Sequence, residues 1–317
     1  MKNTFKVLIT PRSFGKSSSK PLELLKEKGY EVILNPYGRI MSREEMMTHI
    51  VDVDGIIIGV DPLDREILKR ATSLKAISKY GVGTDNIDME YAKKKDIPVM
   101  RAVGANADAV ADFAMALMLA VARRIVTVDA GCRKLCWDKI TTIEMYGKTL
   151  GLIGLGSIGK RVARRASGFD MKVLAFDTFR DETYAEENGI KYVSLEELLK
   201  ESDFISIHLP LTENTRNLIS YKQFEMMKHR AVLVNTARGG IVDENALLWA
   251  LKQKRIWGAG IDVFEKEPPE NSELLNLDNI VIGSHCAAST YEAIDKMGMM
   301  AALNLVECLE GKKFPAD

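Results

Sequence analysis

The sequence predicts an α/β protein with two doubly wound parallel sheets. The chain has 317 residues, which is beyond the size at which one hydrophobic core keeps growing, so we expect about two domains. Short β-branched segments alternate with amphipathic segments, and this alternation is typical of βα units on a parallel sheet. The alternation runs in two series, which are separated by an apolar helical segment that begins at about Ala107.

The first series contains five predicted strands with helices between them. Pro21 opens a helix that Gly29 ends, because proline fits the first turn of a helix and glycine terminates it. Ser42 is the expected N-cap of the next helix, with Glu45 at the third position of a capping box. The predicted strands are Lys6–Thr10, Glu31–Leu34, Gly55–Val60, Lys75–Tyr80 and Pro98–Arg101.

The second series contains six predicted strands. A long helix from about Ala107 to Leu135 precedes them, and a last helix from about Tyr291 to Gly311 follows with no further strand to pair. We expect this terminal helix to pack on the first series, so that the first domain is discontinuous. The predicted strands are Leu150–Gly154, Lys172–Asp177, Phe204–Leu209, Ala231–Thr236, Gly258–Val263 and Ile280–Gly283.

Composition and charge exclude several classes of protein. Lys plus Arg and Asp plus Glu both total 44, and no block of like charge offers a surface to nucleic acid or anionic lipid. The N-terminus lacks a signal-peptide core, and the apolar stretch Phe113–Ala122 is too short to cross a bilayer, so we expect a cytoplasmic protein without membrane contact. Cys132 and Cys136 lie at helical spacing, but there is no Cys-x-x-Cys pair, so we expect reduced thiols and no metal.

A glycine-rich loop stands at the end of the first strand of the second series. Gly154, Gly156 and Gly159 form G-x-G-x-x-G between a strand and a helix, a setting in which backbone amides hold a pyrophosphate. Asp177 ends the next strand, eighteen residues past Gly159, where its carboxylate can bind the adenosine ribose hydroxyls. A carboxylate repels the 2′-phosphate of NADP, so the loop predicts NAD, although Arg180 three residues on could meet such a phosphate.

Polar residues also follow three further strands of the second series. Arg238, Glu267 and His285 lie beyond strand ends, and in doubly wound sheets these ends line the ligand crevice. Reduction of a 2-keto acid needs a fixed cation, which Arg238 supplies, and a proton donor, which His285 supplies. Glu267 would keep His285 protonated and oriented. His208, which ends another strand, is expected to line the cofactor rather than to act as an acid.

Five motifs taken together are specific for one family. They are Lys79–Asp88 (KYGVGTDNID), Gly147–Gly159 (GKTLGLIGLGSIG), His208–Thr215 (HLPLTENT), Asn235–Gly240 (NTARGG) and Asp262–Pro268 (DVFEKEP). Over nearly its whole length the chain resembles the D-isomer-specific 2-hydroxyacid dehydrogenases, whose members include phosphoglycerate, D-lactate and glycerate (hydroxypyruvate) dehydrogenases.

The resemblance implies a domain organisation and an assembly. Residues 1–103 with 288–317 would form a flavodoxin-like substrate domain, and residues 104–287 would form a Rossmann domain that binds NAD. Family members form homodimers in which the long helix after Ala107 is exchanged across the interface. We therefore expect a homodimer that acts on a small 2-keto or 2-hydroxy acid.

The resemblance also implies the roles of individual residues. Arg238, Glu267 and His285 would be the catalytic set. The backbone amides of Val82 and Gly83 would bind the substrate carboxylate, together with Arg238, because a glycine-flanked turn after a strand presents free N–H groups to an anion. The residues expected to contact the cofactor are Gly154, Gly156, Ser157, Ile158, Gly159, Asp177, His208, Thr236, Ala237 and Asp262.

Three features depart from the family pattern and leave alternatives open. Gly283-Ser284 stands where members usually have Thr-Pro before the histidine, and Asp112 stands where a glutamate is common. Ile58–Pro62 lacks the Arg-Ser pair that phosphoglycerate-specific members use for the phosphate. A phosphoglycerate dehydrogenase-like enzyme and a hydroxypyruvate reductase-like enzyme are therefore both open. The alternative function is that of an NAD-sensing binding protein on a dehydrogenase fold.

Overall fold

The computed structural model describes residues 4–311, which form two compact units. The first unit combines the residues up to 106 with those from 289 onward, and the second unit consists of residues 107–288. The sequence predicts boundaries after residues 103 and 287. Each unit has its own parallel sheet, and each is described here by itself.

The first unit contains a five-stranded parallel sheet. Its strands are β1 Lys6–Ile9, β2 Glu31–Leu34, β3 Gly55–Ile58, β4 Ala76–Lys79 and β5 Val99–Arg101, and its first helices are α1 Lys20–Glu27, α2 Arg43–His49, α3 Arg65–Arg70 and α4 Met89–Lys94. The strand order is β2-β1-β3-β4-β5, so the chain adds β2 on one side of β1 and the later strands on the other, and the switch point lies between β1 and β3. Pro21 lies in the first turn of α1, and Ser42 with Glu45 forms the predicted capping box.

The second unit contains a seven-stranded parallel sheet. Its strands are β6 Thr149–Ile153, β7 Lys172–Phe176, β8 Lys191–Tyr192, β9 Phe204–Ile207, β10 Val232–Asn235, β11 Gly258–Ile261 and β12 Ile280–Ile282. They are ordered β12-β11-β10-β9-β6-β7-β8, which confirms the second doubly wound sheet. The ends of all predicted strands lie within two residues of the observed ends. The two-residue β8 was not predicted, because two residues are too few to show a pattern.

The helices of the second unit cover the two faces of its sheet. Helix α5 packs on β10 and β11, and a Cβ atom at Gly260 would lie only 2.8 Å from Leu117 of that helix. Among the described residues, no helix is long and apolar enough to cross a membrane. The helices are α5 Ala107–Ala122, α6 Ile125–Cys132, α7 Ser157–Ala166, α8 Glu182–Glu187, α9 Leu195–Glu201, α10 Tyr221–Met226 and α11 Glu244–Lys252.

The prediction of one continuous helix from Ala107 to Leu135 was wrong, because the chain breaks between α5 and α6. Arg124 adopts a left-handed conformation with φ of +53°. Its guanidinium donates to the carbonyl oxygen of Trp257 at 2.8 Å and lies 4.7 Å from the centre of the indole ring. These contacts favour the break and offset the cost of the left-handed backbone, which is about 1 kcal/mol for a non-glycine residue.

The terminal helix α12, Tyr291–Leu309, packs on the first sheet, as the sequence predicts. Ser78 in β4 donates to the carbonyl oxygen of Ala301 at 2.8 Å, and Asn304 donates to that of Arg101 at 3.2 Å. Leu305 is fully buried in the core that the helix forms with β1 and β3. The first unit is therefore discontinuous in sequence.

Candidate active site

Two close approaches shape the glycine loop between β6 and α7. Gly154 has φ of +101°, and a side chain there would lie 2.9 Å from the backbone of His208. A Cβ atom at Gly159 would lie 2.2 Å from the carbonyl oxygen of Gly154, so helix and strand could not pack as they do. A Cβ atom at Gly156 would meet nothing within 4 Å. The loop therefore leaves open space where loops of this type hold a pyrophosphate.

The start of α7 presents unpaired backbone amides. No described residue accepts a hydrogen bond from the N–H groups of Gly156, Ser157 or Ile158, and no side chain caps the helix. Arg161 donates to the hydroxyl oxygen of Ser157 at 2.9 Å, which leaves the hydroxyl hydrogen available to a ligand. Free amides and the helix dipole favour a bound anion, so the loop fits the pyrophosphate of a dinucleotide.

Asp177 connects the end of β7 to the glycine loop. Its Oδ2 accepts a hydrogen bond from the amide of Leu155 at 2.7 Å, and its Oδ1 accepts one from the amide of Phe179 at 3.0 Å. Each carboxylate oxygen keeps a further acceptor site, which a ribose hydroxyl can use. Arg180 stacks over Tyr192, with its guanidinium carbon 5.3 Å from the ring centre. Asp177 thus fits the adenosine end of NAD.

Two further residues carry buried polar atoms without a described hydrogen-bond partner. These atoms are both ring nitrogens of His208, directly after β9, and the hydroxyl oxygen of Thr236, directly after β10. Burial lowers the pKa of His208 to about 3, so the ring is uncharged at neutral pH. Buried polar atoms normally have partners, and their absence at a ligand-binding edge indicates places that a ligand or water completes.

His285 and Glu267 form a direct pair. The Nδ1 atom of His285 lies 2.8 Å from Oε2 of Glu267, and both side chains are partly exposed. The other carboxylate oxygen of Glu267 accepts from the amide of Phe264 at 3.0 Å. Burial alone raises the pKa of Glu267, but these hydrogen bonds and the charges of His285 and Arg238 outweigh it and lower the pKa below its usual value. Glu267 is therefore a carboxylate at neutral pH.

A buried carboxylate fixes the loop that carries His285. Asp262, only 1% exposed, accepts from the amides of Cys286 and Ala287, both at 3.0 Å. The amide of His285 donates to the carbonyl oxygen of Asp262 at 2.8 Å. These bonds stabilise His285 in a left-handed conformation with φ of +56°, which a histidine alone would disfavour by about 1 kcal/mol. The position of the imidazole is thus set by β11 as well as by β12.

Arg238 is brought next to this pair by a close approach of two loops. A Cβ atom at Gly239 would lie 2.0 Å from the backbone of Phe264, so only glycine fits there. Asn235 closes the turn before it, since its side chain donates to the carbonyl oxygen of Arg238 at 2.9 Å and accepts from the amide of Ala237 at 3.0 Å. The charge of Arg238 acts on Glu267 across this contact.

The candidate residues of the second unit lie along one edge of its sheet. Neighbouring strands are about 4.8 Å apart, so the five steps from β7 to β12 span about 24 Å. The chain adds β7 and β8 on one side of β6 and the later strands on the other, so the switch point lies between β6 and β9. Doubly wound sheets bind ligands outside such switch points. In strand order the residues are Asp177, the glycine loop, His208, Thr236, Arg238, Glu267 and His285.

Comparison with known proteins decides the family. A family model described as "D-isomer specific 2-hydroxyacid dehydrogenase, NAD binding domain" matches residues 115–287. The glyoxylate reductase of Thermococcus litoralis is 44% identical over 296 residues, which are 90% of this chain and 89% of the relative. The chain belongs to the D-isomer specific 2-hydroxyacid dehydrogenase family. It is an NAD-binding oxidoreductase that acts on 2-hydroxy acids.

Other relatives of this dehydrogenase are named for different acids. The D-3-phosphoglycerate dehydrogenase of Methanocaldococcus jannaschii is 42% identical over 276 residues, which are 86% of this chain but only 53% of the relative. The D-lactate dehydrogenase of Aquifex aeolicus, crystallised with NAD and lactic acid, has a TM-score of 0.84 at 31% identity and covers 96% of both chains. The comparisons therefore show the family, and the identity of the acid has to be inferred from the site.

In the first unit, the turn after β4 carries the residues predicted to bind a substrate carboxylate. No described residue accepts a hydrogen bond from the amides of Val82 or Gly83. The turn is fixed on both sides, because the amide of Gly81 donates to the carbonyl oxygen of Lys79 at 3.0 Å and the amide of Ala102 donates to that of Gly81 at 2.8 Å. Two adjacent free amides on a fixed turn can donate hydrogen bonds to an anion.

Sequence reasoning missed a charged cluster that fixes the cofactor helix of the dehydrogenase. Arg161 and Arg165 on α7 pair with Asp108 on α5 at 3.0 and 3.3 Å, and Arg165 also pairs with Asp112 at 2.5 Å. The regular spacing of the two arginines and two aspartates was the available signal. In the described part of the chain, no group of three or more His, Cys, Asp or Glu residues could hold a metal.

Proposed function

We propose that this dehydrogenase reduces a small 2-keto acid, with Arg238, Glu267 and His285 as its catalytic residues. The observation that carries the proposal is the 2.8 Å contact between Nδ1 of His285 and Oε2 of Glu267, at the sheet edge that also carries the glycine loop. A protein that only senses NAD needs the glycine loop but has no use for this pair. The pair therefore favours catalysis.

Proton transfer is the task of His285. When bound, NADH supplies the hydride that the C2 carbon accepts. The carbonyl oxygen on C2 takes a proton from Nε2 of His285 as it becomes a hydroxyl. Nδ1 keeps its hydrogen bond to Glu267, whose carboxylate stabilises the protonated ring before the transfer and orients it throughout. In the oxidation direction the same nitrogen accepts the proton.

Two sets of donors hold the substrate in this proposal. Arg238 offers a planar guanidinium that can form parallel hydrogen bonds to the carboxylate and the carbonyl oxygen. The amides of Val82 and Gly83 bind the substrate carboxylate. We assign cofactor binding to the second unit, and binding of the substrate carboxylate to these amides of the first unit together with Arg238 of the second.

The cofactor contacts in this proposal follow the second sheet edge. The amides of Gly156, Ser157 and Ile158 hold the pyrophosphate, Asp177 binds the adenosine ribose, and the segment after β10 lines the nicotinamide end. The proposal keeps the full set of expected contacts, which is Gly154, Gly156, Ser157, Ile158, Gly159, Asp177, His208, Thr236, Ala237 and Asp262.

A substrate panel tests the proposed reaction. NADH oxidation is followed with glyoxylate, hydroxypyruvate, 3-phosphohydroxypyruvate and a longer 2-keto acid, using wild type, Arg238→Ala and the exposed-histidine control His229→Ala. We expect turnover of at least one acid by wild type and His229→Ala, and a loss of at least about a hundredfold in kcat/KM for Arg238→Ala. NADH binding without turnover of any 2-keto acid would favour the sensing function instead.

We also propose that the enzyme is a homodimer. Exposed apolar side chains cluster on α6 and the segment after it, with Leu135 90% and Trp137 80% exposed. An apolar surface of this kind is typical of subunit interfaces. Light scattering should give twice the mass of the chain, and Trp137→Asp should lower the dimer content. Phe179→Asp, which changes an aromatic residue elsewhere that is 90% exposed, should not. A monomeric wild type would contradict the proposal.

For the compartment we propose the cytoplasm. All four cysteines are free thiols in the structure, which suits a reducing environment. Cell fractionation with an antibody against the native protein would test this, and recovery outside the cytoplasmic fraction would contradict it.

A further inference from the structure

The turn after β1 lies where the strand order of the first sheet switches from one side of β1 to the other. Strands β1 and β3 are neighbours, and β2 lies on one side of them while β4 and β5 lie on the other. The carboxyl ends of β1 and β3 therefore flank a topological switch point, outside which doubly wound sheets bind their ligands. Pro11–Lys16 follows β1 at this point, and Gly59-Val60 follows β3.

The turn is firmly anchored on both sides of Arg12. Pro11 packs against the end of β3, and its carbonyl oxygen accepts from the amide of Phe14 at 3.2 Å. Ser13 donates to the phenol oxygen of Tyr80 at 3.3 Å, and the Phe14 ring is buried 6.0 Å from the centre of the Tyr80 ring. Arg12 is exposed between these anchored neighbours. Its backbone is thus ordered while its guanidinium is left to solvent.

Other cations near this switch point already have partners. Arg39 forms a two-pronged pair with Glu45 at 2.6 and 2.8 Å. Lys79 is buried and donates to the side-chain oxygen of Asn86 at 2.7 Å. In contrast, no residue among those described forms an ion pair or hydrogen bond with the guanidinium of Arg12. A positive charge on an anchored turn at a ligand-binding edge is therefore available to a ligand.

Exposed apolar side chains follow both β3 and β4. Val60, after β3, is 56% exposed, and Val82, after β4, is 37% exposed and carries one of the two free amides. Strands β1 and β4 are two steps apart, about 10 Å, most of which an arginine side chain can cover. Lys16 at the far end of the same turn is also exposed and adds positive charge.

We propose that Arg12 binds a second anionic group, a phosphate or a carboxylate, at the end of the substrate remote from C2. The inference rests on the proposed function, because it takes the amides of Val82 and Gly83 as the site of the first carboxylate. Arginine matches both anions with parallel hydrogen bonds. The absence of an Arg-Ser pair after β3 then does not exclude a phosphorylated acid, since the cation comes from the turn after β1.

Two matched pairs of substrates test the inference. We would measure kcat and KM with saturating NADH for 3-phosphohydroxypyruvate against hydroxypyruvate, and for 2-oxoglutarate against 2-oxopentanoate. The variants are Arg12→Ala, Arg12→Lys and the control Arg70→Ala. Arg70 is an exposed arginine at the end of α3, at the opposite edge of the same sheet, so its removal changes the net charge equally.

We expect wild type to prefer the anionic member of at least one pair, and the preferred pair identifies the group as phosphate or carboxylate. Arg12→Ala should lower kcat/KM for that acid about tenfold or more, mainly through KM, and change the neutral partner by less than about threefold. Arg12→Lys should retain part of the preference, and Arg70→Ala should retain all of it.

Two results would overturn the role of Arg12, and they differ from failure of the proposed function. Equal losses on both members of a pair, or no wild-type preference for either anionic acid while the neutral acids are reduced, would exclude Arg12 as a specificity residue and leave the proposed reaction intact. Absence of turnover with all four acids would overturn the proposed reaction and the inference together.

Discussion

The carboxyl edges of the two sheets use their polar groups in different ways. In the second unit, buried Asp262 and Asn235 form hydrogen bonds with the backbone of the loops at the strand ends. These bonds hold the loops that carry Arg238 and His285. In the first unit, the polar groups mostly bind one another. Asp61 accepts from the amide of Met41 at 2.8 Å and from the hydroxyl of Thr10, which in turn accepts from the backbone of the β3 turn.

We propose that the two edges have different tasks. In this proposal the second edge carries an acid-base pair, a cation and an anion-binding loop, and these groups determine the reaction class. Among the described residues of the first edge, the amides of Val82 and Gly83 and the guanidinium of Arg12 have no hydrogen-bond partner. We propose that these groups help to determine which acid is bound.

The largest effect is expected from removing the proton donor of the second edge. His285→Ala should lower kcat for keto-acid reduction by about a hundredfold or more, the usual scale for a lost acid-base group. His229→Ala removes an exposed histidine of the same unit and should change little. Steady-state kinetics with NADH measure both. Rates of His285→Ala near those of wild type would mean that another group donates the proton.

The next largest effect is expected at His208, whose two ring nitrogens have no described hydrogen-bond partner. Its pKa in the folded protein is about 3, below the unfolded value of about 6.5. Between these values the unfolded chain binds a proton that the folded protein does not, so the free energy of unfolding decreases as pH falls. From pH 7 to 5 the decrease from this residue is roughly 2 kcal/mol.

His208→Phe should remove this part of the pH dependence. Urea unfolding at both pH values, with His229→Phe as the exposed-histidine control, would show a smaller loss of stability for His208→Phe than for wild type. The same loss in both proteins would mean that the folded His208 takes up a proton after all.

A smaller effect is expected at the adenosine end of the second edge. Asp177→Asn removes the charge that repels a 2′-phosphate and keeps an oxygen that can accept from the Leu155 amide. The ratio of kcat/KM for NADPH to that for NADH should rise about tenfold. Kinetics with the two cofactors measure it. An unchanged ratio would assign the cofactor preference to other residues.

Much of this organisation can be predicted from the sequence, because strand pattern and loop chemistry are local. The glycine loop, Asp177 and the polar residues after β10, β11 and β12 are all visible as motifs. The buried strands and the terminal helix follow from their apolar patterns. That the helix returns to the first sheet could be inferred because no strand remains for it to pair with.

The rest depends on contacts between distant segments. Nothing local in the sequence shows that Asp262 binds the amides of the loop that carries His285, or that Gly239 lies against Phe264. The break at Arg124 depends on Trp257, more than a hundred residues away. Sequence reasoning also passed over Arg12, because an exposed arginine in a turn becomes informative only when its neighbours are known to be paired.

The pairing of Glu267 with His285 is tested most directly by kcat/KM for NADH-dependent reduction in wild type and Glu267→Gln. The amide of Glu267→Gln keeps an oxygen near Nδ1 of His285 but has no charge to stabilise a positive imidazole. We predict that kcat/KM of Glu267→Gln is about tenfold or more below that of wild type. Equal kcat/KM values for the two proteins would contradict the assignment of His285 and Glu267 as the acid and its partner.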